Sequence, residues 1–296
     1  MKGPASLNRL TIIGVGLIGG SLARALRKWG SVGEIVGSGR SSSHLQRALE
    51  LGVVDRYELD PAEAVKGADL VVVAVPVAAT YTVLQSIAPH INKKVVVTDV
   101  GSVKGSVVSD AESALGDRFG RFVPGHPIAG VEHSGVEAAF STLFVDRKVI
   151  LTPVEGTDGD ALEVVEGLWE TAQARVMIMG VTEHDRILAA TSHLPHLLAY
   201  LLVEHLDSQE EGETLFDLAA GGFRDFTRIA SSDPTMWRDV SLTNREALAE
   251  WMESYRKRLE QVIDDVRAGR GEQLQALFTK AKRARDRYFP PDEGLE

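Results

Sequence analysis

The pattern of apolar and polar positions changes character near Gly180. Before that point, short β-branched runs alternate with segments of helical period. "RLTIIGVG" reads as a strand that ends in glycines. "LIGGSLARALRKWG" follows it, with Ile18, Leu22, Ala25, Leu26 and Trp29 on one helical face. "EIVGSGR" reads as a second strand. "DLVVVAVP" is apolar throughout, the pattern of a parallel strand covered on both faces, and "KKVVVTDVGS" and "KVILTP" repeat it. "GDALEVVEGLWETAQ" predicts a helix and "ARVMIMG" a last strand. Strands and helices in alternation predict an α/β fold, a doubly wound parallel sheet of the Rossmann type.

After Gly180 the strand signals stop. Residues 183–206 read as one long helix, shorter helices fill 213–246, and Leu248, Trp251, Tyr255, Val262 and Val266 form an apolar stripe. A Gly-Arg-Gly turn leads to a last helix ending near Phe289. The chain is therefore expected to divide into residues 1–180, a dinucleotide-binding domain, and residues 181–296, an all-helical domain. The helical part is too apolar to stand alone. A helix that is apolar nearly all round must be covered on every side, and a second copy of the chain is expected to supply the cover, as a homodimer.

Composition narrows the classes. The 296 residues carry a formal net charge of −10 and no cysteine. The acidic balance argues against nucleic acid or an anionic membrane as partner. The lack of thiols removes disulfides and thiolate metal sites and fits a cytoplasmic protein. "MKGPASLNRL" has no apolar core of the kind that marks a secretory leader. The run "ILAATSHLPHLLAYLLV" holds two histidines and a proline and is expected to be a buried helix, not a membrane span.

"GVGLIGGS" places Gly14, Gly16 and Gly19 in a G-x-G-x-x-G spacing directly after the first strand and at the start of the first helix. There the first glycine permits the turn, the second admits a pyrophosphate to the backbone, and the third lets helix pack on strand. Gly14, Gly16, Leu17, Ile18 and Gly19 are the expected cofactor loop, with the helix N-terminus facing the phosphates. The second strand ends in Ser38-Gly39-Arg40-Ser41, with no carboxylate for ribose hydroxyls. Ser38, Arg40 and Ser41 suit a 2′-phosphate, which favours NADP over NAD while leaving NAD open.

The remaining motifs are "GSVK", "GHPIAGVEHSG", "SHLPH" and "FRDFTRIASSDPTMW", in that order. With the glycine loop they resemble the prephenate dehydrogenase family, whose members act on prephenate, arogenate or both in tyrosine biosynthesis. The resemblance runs over residues 9–289. It implies NAD(P)-linked oxidative decarboxylation of a 4-hydroxycyclohexadiene. It further implies that His126 accepts the proton of the reacting hydroxyl, a task suited to a neutral imidazole. Ser102 is implied near that hydroxyl and the nicotinamide, with capping of the helix near Val103 as its other reading. Arg228 is implied to bind the ring carboxylate, with an ion pair to Asp225 as its other reading. His196 is implied to bind the substrate's side-chain end, His193 to share that face, and Glu132 to stand at the pocket mouth. Pro195 is expected to disturb the helix between them. Lys104 is expected to serve the surface, and no metal site is expected. Two other functions stay open: a different two-domain hydroxyacid or imino-acid reductase, and a cofactor-binding regulator without catalysis.

Overall fold

The computed structural model describes residues 6–131 and 133–289; Glu132, expected at the pocket mouth, lies outside them. The chain divides into two compact units after Leu248.

The first unit is built on six parallel strands, β1 (Ser6–Ile13), β2 (Ser31–Ser38), β3 (Arg56–Glu58), β4 (Leu70–Val73), β5 (Val96–Asp99) and β6 (Phe122–Val123), in the order β3-β2-β1-β4-β5-β6. This is the doubly wound order, with its reversal between β1 and β4. The helices between them are α1 (Leu17–Trp29), α2 (Ser42–Glu50), α3 (Pro61–Ala64), α4 (Thr80–Ile87) and α5 (Gly105–Leu115). Successive residues of the apolar strands serve opposite faces. Leu70 and Val72 pack with Leu22 and Leu26 of α1, while Val71 and Val73 pack with Leu84 of α4 and Val107 of α5. Burial on both faces explains why these strands read as unbroken apolar runs.

A second sheet holds β7 (Gly125–Pro127), β8 (Lys148–Leu151) and β9 (Arg175–Ile178), with α6 (Gly159–Thr171) between β8 and β9. The sequence predicts that "KVILTP" and "ARVMIMG" continue the parallel sheet; the structure instead pairs β7 antiparallel with β8, and β8 parallel with β9, in a sheet of their own. The cause lies at Pro124. It has no N–H to extend β6, and its carbonyl accepts the N–H of Thr152 at 3.0 Å, which brings the end of β8 beside β7. His126 thereby comes opposite Ile150.

The helical part of this unit contains α7 (Val181–Leu188), a π turn (Ala189–His193), α8 (Leu194–Asp207), α9 (Gly212–Asp217), α10 (Gly221–Thr227), a 3-10 turn (Arg228–Ser231) and α11 (Pro234–Thr243). The single helix expected over 183–206 is thus interrupted. Pro195 cannot donate to the carbonyl four residues earlier, and the wider π turn just upstream absorbs the misfit. The stretch Val181–Asp207 is long and apolar enough to cross a membrane by length and composition, with 28% of its most apolar window buried. The expected full burial is not reached within one chain. Leu194 and Ala199 are the buried residues of α8, and Leu201 is exposed.

α12 (Arg245–Arg267) runs from the end of the first unit through the second, where α13 (Gly271–Tyr288) follows. Gly269, at φ +63°, makes the turn between them. Tyr255 and Val266 of the predicted stripe are exposed, together with Leu259 and Ile263.

Candidate active site

The cofactor loop follows from local geometry. Gly14 sits at φ +101°, a conformation other residues rarely adopt, and its N–H donates to the Ser38 carbonyl at 2.8 Å, tying the loop to the end of β2. A Cβ at Gly14 would lie 2.3 Å from the Ala74 carbonyl oxygen, and one at Gly19 would lie 2.4 Å from the Gly14 carbonyl oxygen. Both glycines are therefore demanded by packing. Gly16 differs: a Cβ there would meet nothing within 4 Å. That open space stands at the N-cap of α1, whose first turn has no side-chain cap and no acidic residue. Such a helix end offers N–H groups and positive potential to an anion. The Ser38 hydroxyl is buried and has no partner among the described residues. Open backbone, an uncapped helix end and an orphan hydroxyl together fit a dinucleotide. Arg40 is exposed beyond Ser38, and the Ser41 hydroxyl caps α2 by accepting the His44 N–H at 3.3 Å.

On the same edge of the sheet, two strands from β1, Asp99 closes β5. Its carboxylate accepts the Gly101 N–H at 2.7 Å, the Gly125 N–H at 3.1 Å and the Lys104 ammonium at 2.5 Å. Lys104 also donates to the Gly125 carbonyl at 2.7 Å. Its side chain is 0% exposed, which overturns its expected place at the surface. The alternating charges explain the burial: the ammonium meets a carboxylate and a carbonyl with little left unsatisfied. Burial pushes the Lys104 pKa down, and Asp99 pulls it back. Both backbone polar groups of Gly125, the residue before His126, are thereby clamped.

His126 points into a cluster with residues of the helical part. Its Nδ1 lies 2.9 Å from Nε2 of His184, whose Nδ1 lies 2.8 Å from Oδ1 of Asp185. His184 is fully buried. Asp185 has a second task, since its two oxygens accept the backbone N–H groups of Lys104 at 2.8 Å and Gly105 at 2.7 Å. It is the cap of α5, supplied from another element. Burial tends to raise the Asp185 pKa, but His184 and the two backbone donors outweigh it and hold the group ionised. Burial, reinforced by His184, Lys104 and His193, holds the His126 pKa well below the ordinary histidine value, so its ring is neutral near pH 7.

A second aromatic group adjoins the first. His193 is 1% exposed and its Nδ1 lies 3.1 Å from the Asn244 amide nitrogen, which also donates to the Asp185 carbonyl at 2.9 Å. Burial lowers the His193 pKa to about 4. His196 stacks on Trp237 of α11 at 3.7 Å between ring centroids, with its Nδ1 donating to the Ser192 carbonyl at 2.8 Å. Burial also lowers the His196 pKa. Nε2 of His193 and Nε1 of Trp237 are buried without partners among the described residues.

The structure thus gathers His126 and His193 around His184 and Asp185, and sets His196 beside them on α8. Ser102 is half-buried on the loop before α5, and its hydroxyl has no hydrogen-bond partner among the described residues. The capping expected of Ser102 falls to Asp185, because α5 starts at Gly105, three residues later. Arg228 is exposed at the start of the 3-10 turn, which packs on α8 and is tied to it by the Tyr200 hydroxyl donating to the Ser232 carbonyl at 2.5 Å. Sequence reasoning missed His184, Asp185 and Trp237. The available signal was the pair His184-Asp185 in the first turns of a helix, with Leu188 four residues on marking His184 as inward-facing.

Comparison with known proteins shows the family of the chain. Residues 22–178 match the family model "Prephenate dehydrogenase, nucleotide-binding domain", and residues 181–280 match "Prephenate dehydrogenase, dimerization domain". The cyclohexadienyl dehydrogenase of Zymomonas mobilis is 36% identical over 278 residues, 93% of this chain and 94% of that protein. The prephenate dehydrogenase of Bacillus subtilis is 38% identical over 282 residues, 94% of this chain and 75% of that protein. The crystal structure of prephenate dehydrogenase from A. aeolicus with hydroxyphenyl propionate and NAD+ superposes with a TM-score of 0.90 at 36% identity, covering 96% of this chain and 99% of that one. With two family models spanning both halves and relatives aligned over nearly the whole length, the chain belongs to the prephenate dehydrogenase family of oxidoreductases.

Proposed function

We propose that this enzyme carries out NAD(P)-dependent oxidative decarboxylation of prephenate or arogenate, giving 4-hydroxyphenylpyruvate or tyrosine, with His126 as the group that handles the hydroxyl proton. The observation that carries the reading is a neutral, half-buried imidazole clamped through Gly125 to the end of β5. The nicotinamide, when bound, accepts the hydride from C4 of the substrate ring. His126 holds the C4 hydroxyl proton as that carbon is oxidised. The ring carboxylate leaves as CO2, its bonding pair completes the aromatic ring, and His126 returns the proton to the ring oxygen, so no net proton is lost from the hydroxyl.

The other residues bind and orient. Gly14, Gly16, Leu17, Ile18 and Gly19 hold the pyrophosphate, and Ser38, Arg40 and Ser41 the adenosine ribose, with Arg40 favouring NADP. Ser102 positions the hydroxyl beside His126. Arg228 takes the ring carboxylate through its planar fork. His196 and His193 serve the side-chain end. The family's dimerization domain and the exposed apolar positions of α8 and α12 support a homodimer. The functional division falls near residue 180, and the setting is cytoplasmic, with a small-molecule substrate, no metal, and no nucleic-acid or membrane partner.

One assay grid tests this reading. Prephenate and arogenate are each paired with NAD+ and NADP+, and reduced nicotinamide is followed by its absorbance. Turnover of at least one substrate is expected, with the higher kcat/KM on NADP+. No turnover of either substrate would refute the function, and a strong NAD+ preference would refute the role of Arg40.

A further inference from the structure

The hydrogen bonds around His126 have a direction, and that direction decides which of its nitrogens is basic. Asp185 is ionised and only accepts, so Nδ1 of His184 carries a proton and donates to Oδ1 at 2.8 Å. With Nδ1 holding the single proton of the imidazole, Nε2 of His184 is bare and can only accept. The atom facing it is Nδ1 of His126, 2.9 Å away. His126 must donate there, and in its neutral form the lone pair is left on Nε2.

We infer that Asp185 and His184 are positioning residues that fix His126 in the tautomer with Nε2 free to take the substrate's proton, and that the same Asp185 carboxylate locks this chain to the start of α5. The inference rests on the function proposed above. Three features carry it. The chain is closed: Oδ1 of Asp185 also accepts the Lys104 N–H and Oδ2 the Gly105 N–H, so the carboxylate cannot rotate without uncapping α5. Its middle is dry, because His184 is fully buried and water cannot compete for its nitrogens. It is also backed by Asn244, whose amide donates to the Asp185 carbonyl and approaches His193.

The charged and titratable groups facing His126 come from three elements: His184 from α7, Lys104 from the start of α5, and His193 from the π turn. Lys104 is itself paired with Asp99. When His126 holds the extra proton, His184 accepts from it and Asp185 supplies negative charge one ring further away. The arrangement extends the familiar logic of a carboxylate orienting a catalytic histidine, with one imidazole interposed.

The test has two arms. In the wild-type protein without ligands, nitrogen-15 NMR correlations of the histidine rings report the His126 tautomer directly. A proton on Nδ1 and a bare Nε2 are expected; the opposite tautomer would overturn the inference. In Asp185→Asn, the neutral side chain no longer fixes the proton on His184 Nδ1, and the preference of His126 for a bare Nε2 is lost. Its kcat is expected to fall on the order of 10²–10⁴-fold, with KM for substrate and dinucleotide within about twofold and the acid limb of the kcat profile displaced. A kcat within threefold of wild type, or a loss in which both KM values rise while the tautomer and acid limb stay put, would overturn it in favour of a purely structural cap. Should D185N fail to fold, the wild-type tautomer still decides. The two failures are distinguishable: a wild-type protein inactive on both substrates refutes the function, whereas an active wild type with Nε2 protonated refutes this inference.

Discussion

The two histidine groups of this site stand side by side and are built on opposite plans. Around His126, the ring nitrogen facing the protein, the carboxylate behind it and the peptide beside it each have a partner within the chain. Around His193 and His196, the rings gather on Trp237, His196 stacked on it and His193 edge-on to it, and buried donors on His193 and Trp237 are left open. A satisfied network is rigid and fixes protonation state. An unsatisfied pair of donors is costly until something accepts from it. The contrast separates a place where a proton is handled from a place where oxygen atoms of a ligand are held.

Substitutions can break that contrast. The largest effect is expected from His126→Ala, which removes the proton acceptor and leaves the binding groups in place. Its kcat should fall roughly 10²–10⁴-fold, with a much smaller change in KM, measured by steady-state kinetics. Next comes Lys104→Met. It leaves Asp99 buried without its cation, and breaking a buried pair in this way costs about 3–5 kcal/mol. Urea unfolding should show a loss of that order, and a change below about 1 kcal/mol would mean that the clamp on Gly125 is not what orders the strand.

A third expectation concerns pH. His193 is neutral in the fold, with its pKa lowered from 6.5 to about 4 by burial. The unfolded chain therefore takes up a proton between those values when the folded one does not. The stability this group contributes is fully present above pH 6.5, declines as pH falls through the window and is lost by about pH 4. The decline is about 3 kcal/mol, readable from unfolding midpoints across pH, and His193→Gln should flatten it. The acid limb of activity has the same sign: His126 must be neutral, and its lowered pKa places that limb below the ordinary histidine range. The smallest effect is expected for His196→Ala, a rise in substrate KM of roughly tenfold from one lost hydrogen bond with kcat held within a few-fold. A fall in kcat as large as that of His126→Ala would erase the distinction between the two groups.

How much of this was legible in the sequence depended on how local the cause was. The glycine loop is a local device, three glycines at fixed spacing, and its geometry follows from the turn itself. The apolar strands announce a covered parallel sheet because both faces are buried. Pro195 announces its break in the helix. Lys104 was misread because a lysine in a Gly/Ser loop is ordinarily solvated, and only the fold brings Asp99 and the Gly125 carbonyl to it. β8 and β9 were assigned to the main sheet because an apolar strand carries no mark of which sheet it joins; Pro124 decided that. His184 and Asp185 stayed hidden because their partners lie 58 and 81 residues away in the chain.

The central claim is that Nε2 of His126 takes the hydroxyl proton of the substrate. The most direct measurement is a crystal structure of the enzyme with oxidised dinucleotide and 4-hydroxyphenylpyruvate. The account predicts the phenol oxygen within hydrogen-bonding distance of that nitrogen, about 2.6–3.2 Å, with the His126–His184–Asp185 chain intact behind it. A phenol oxygen bonded elsewhere, with neither the ring nor a bridging water against it, would contradict the account.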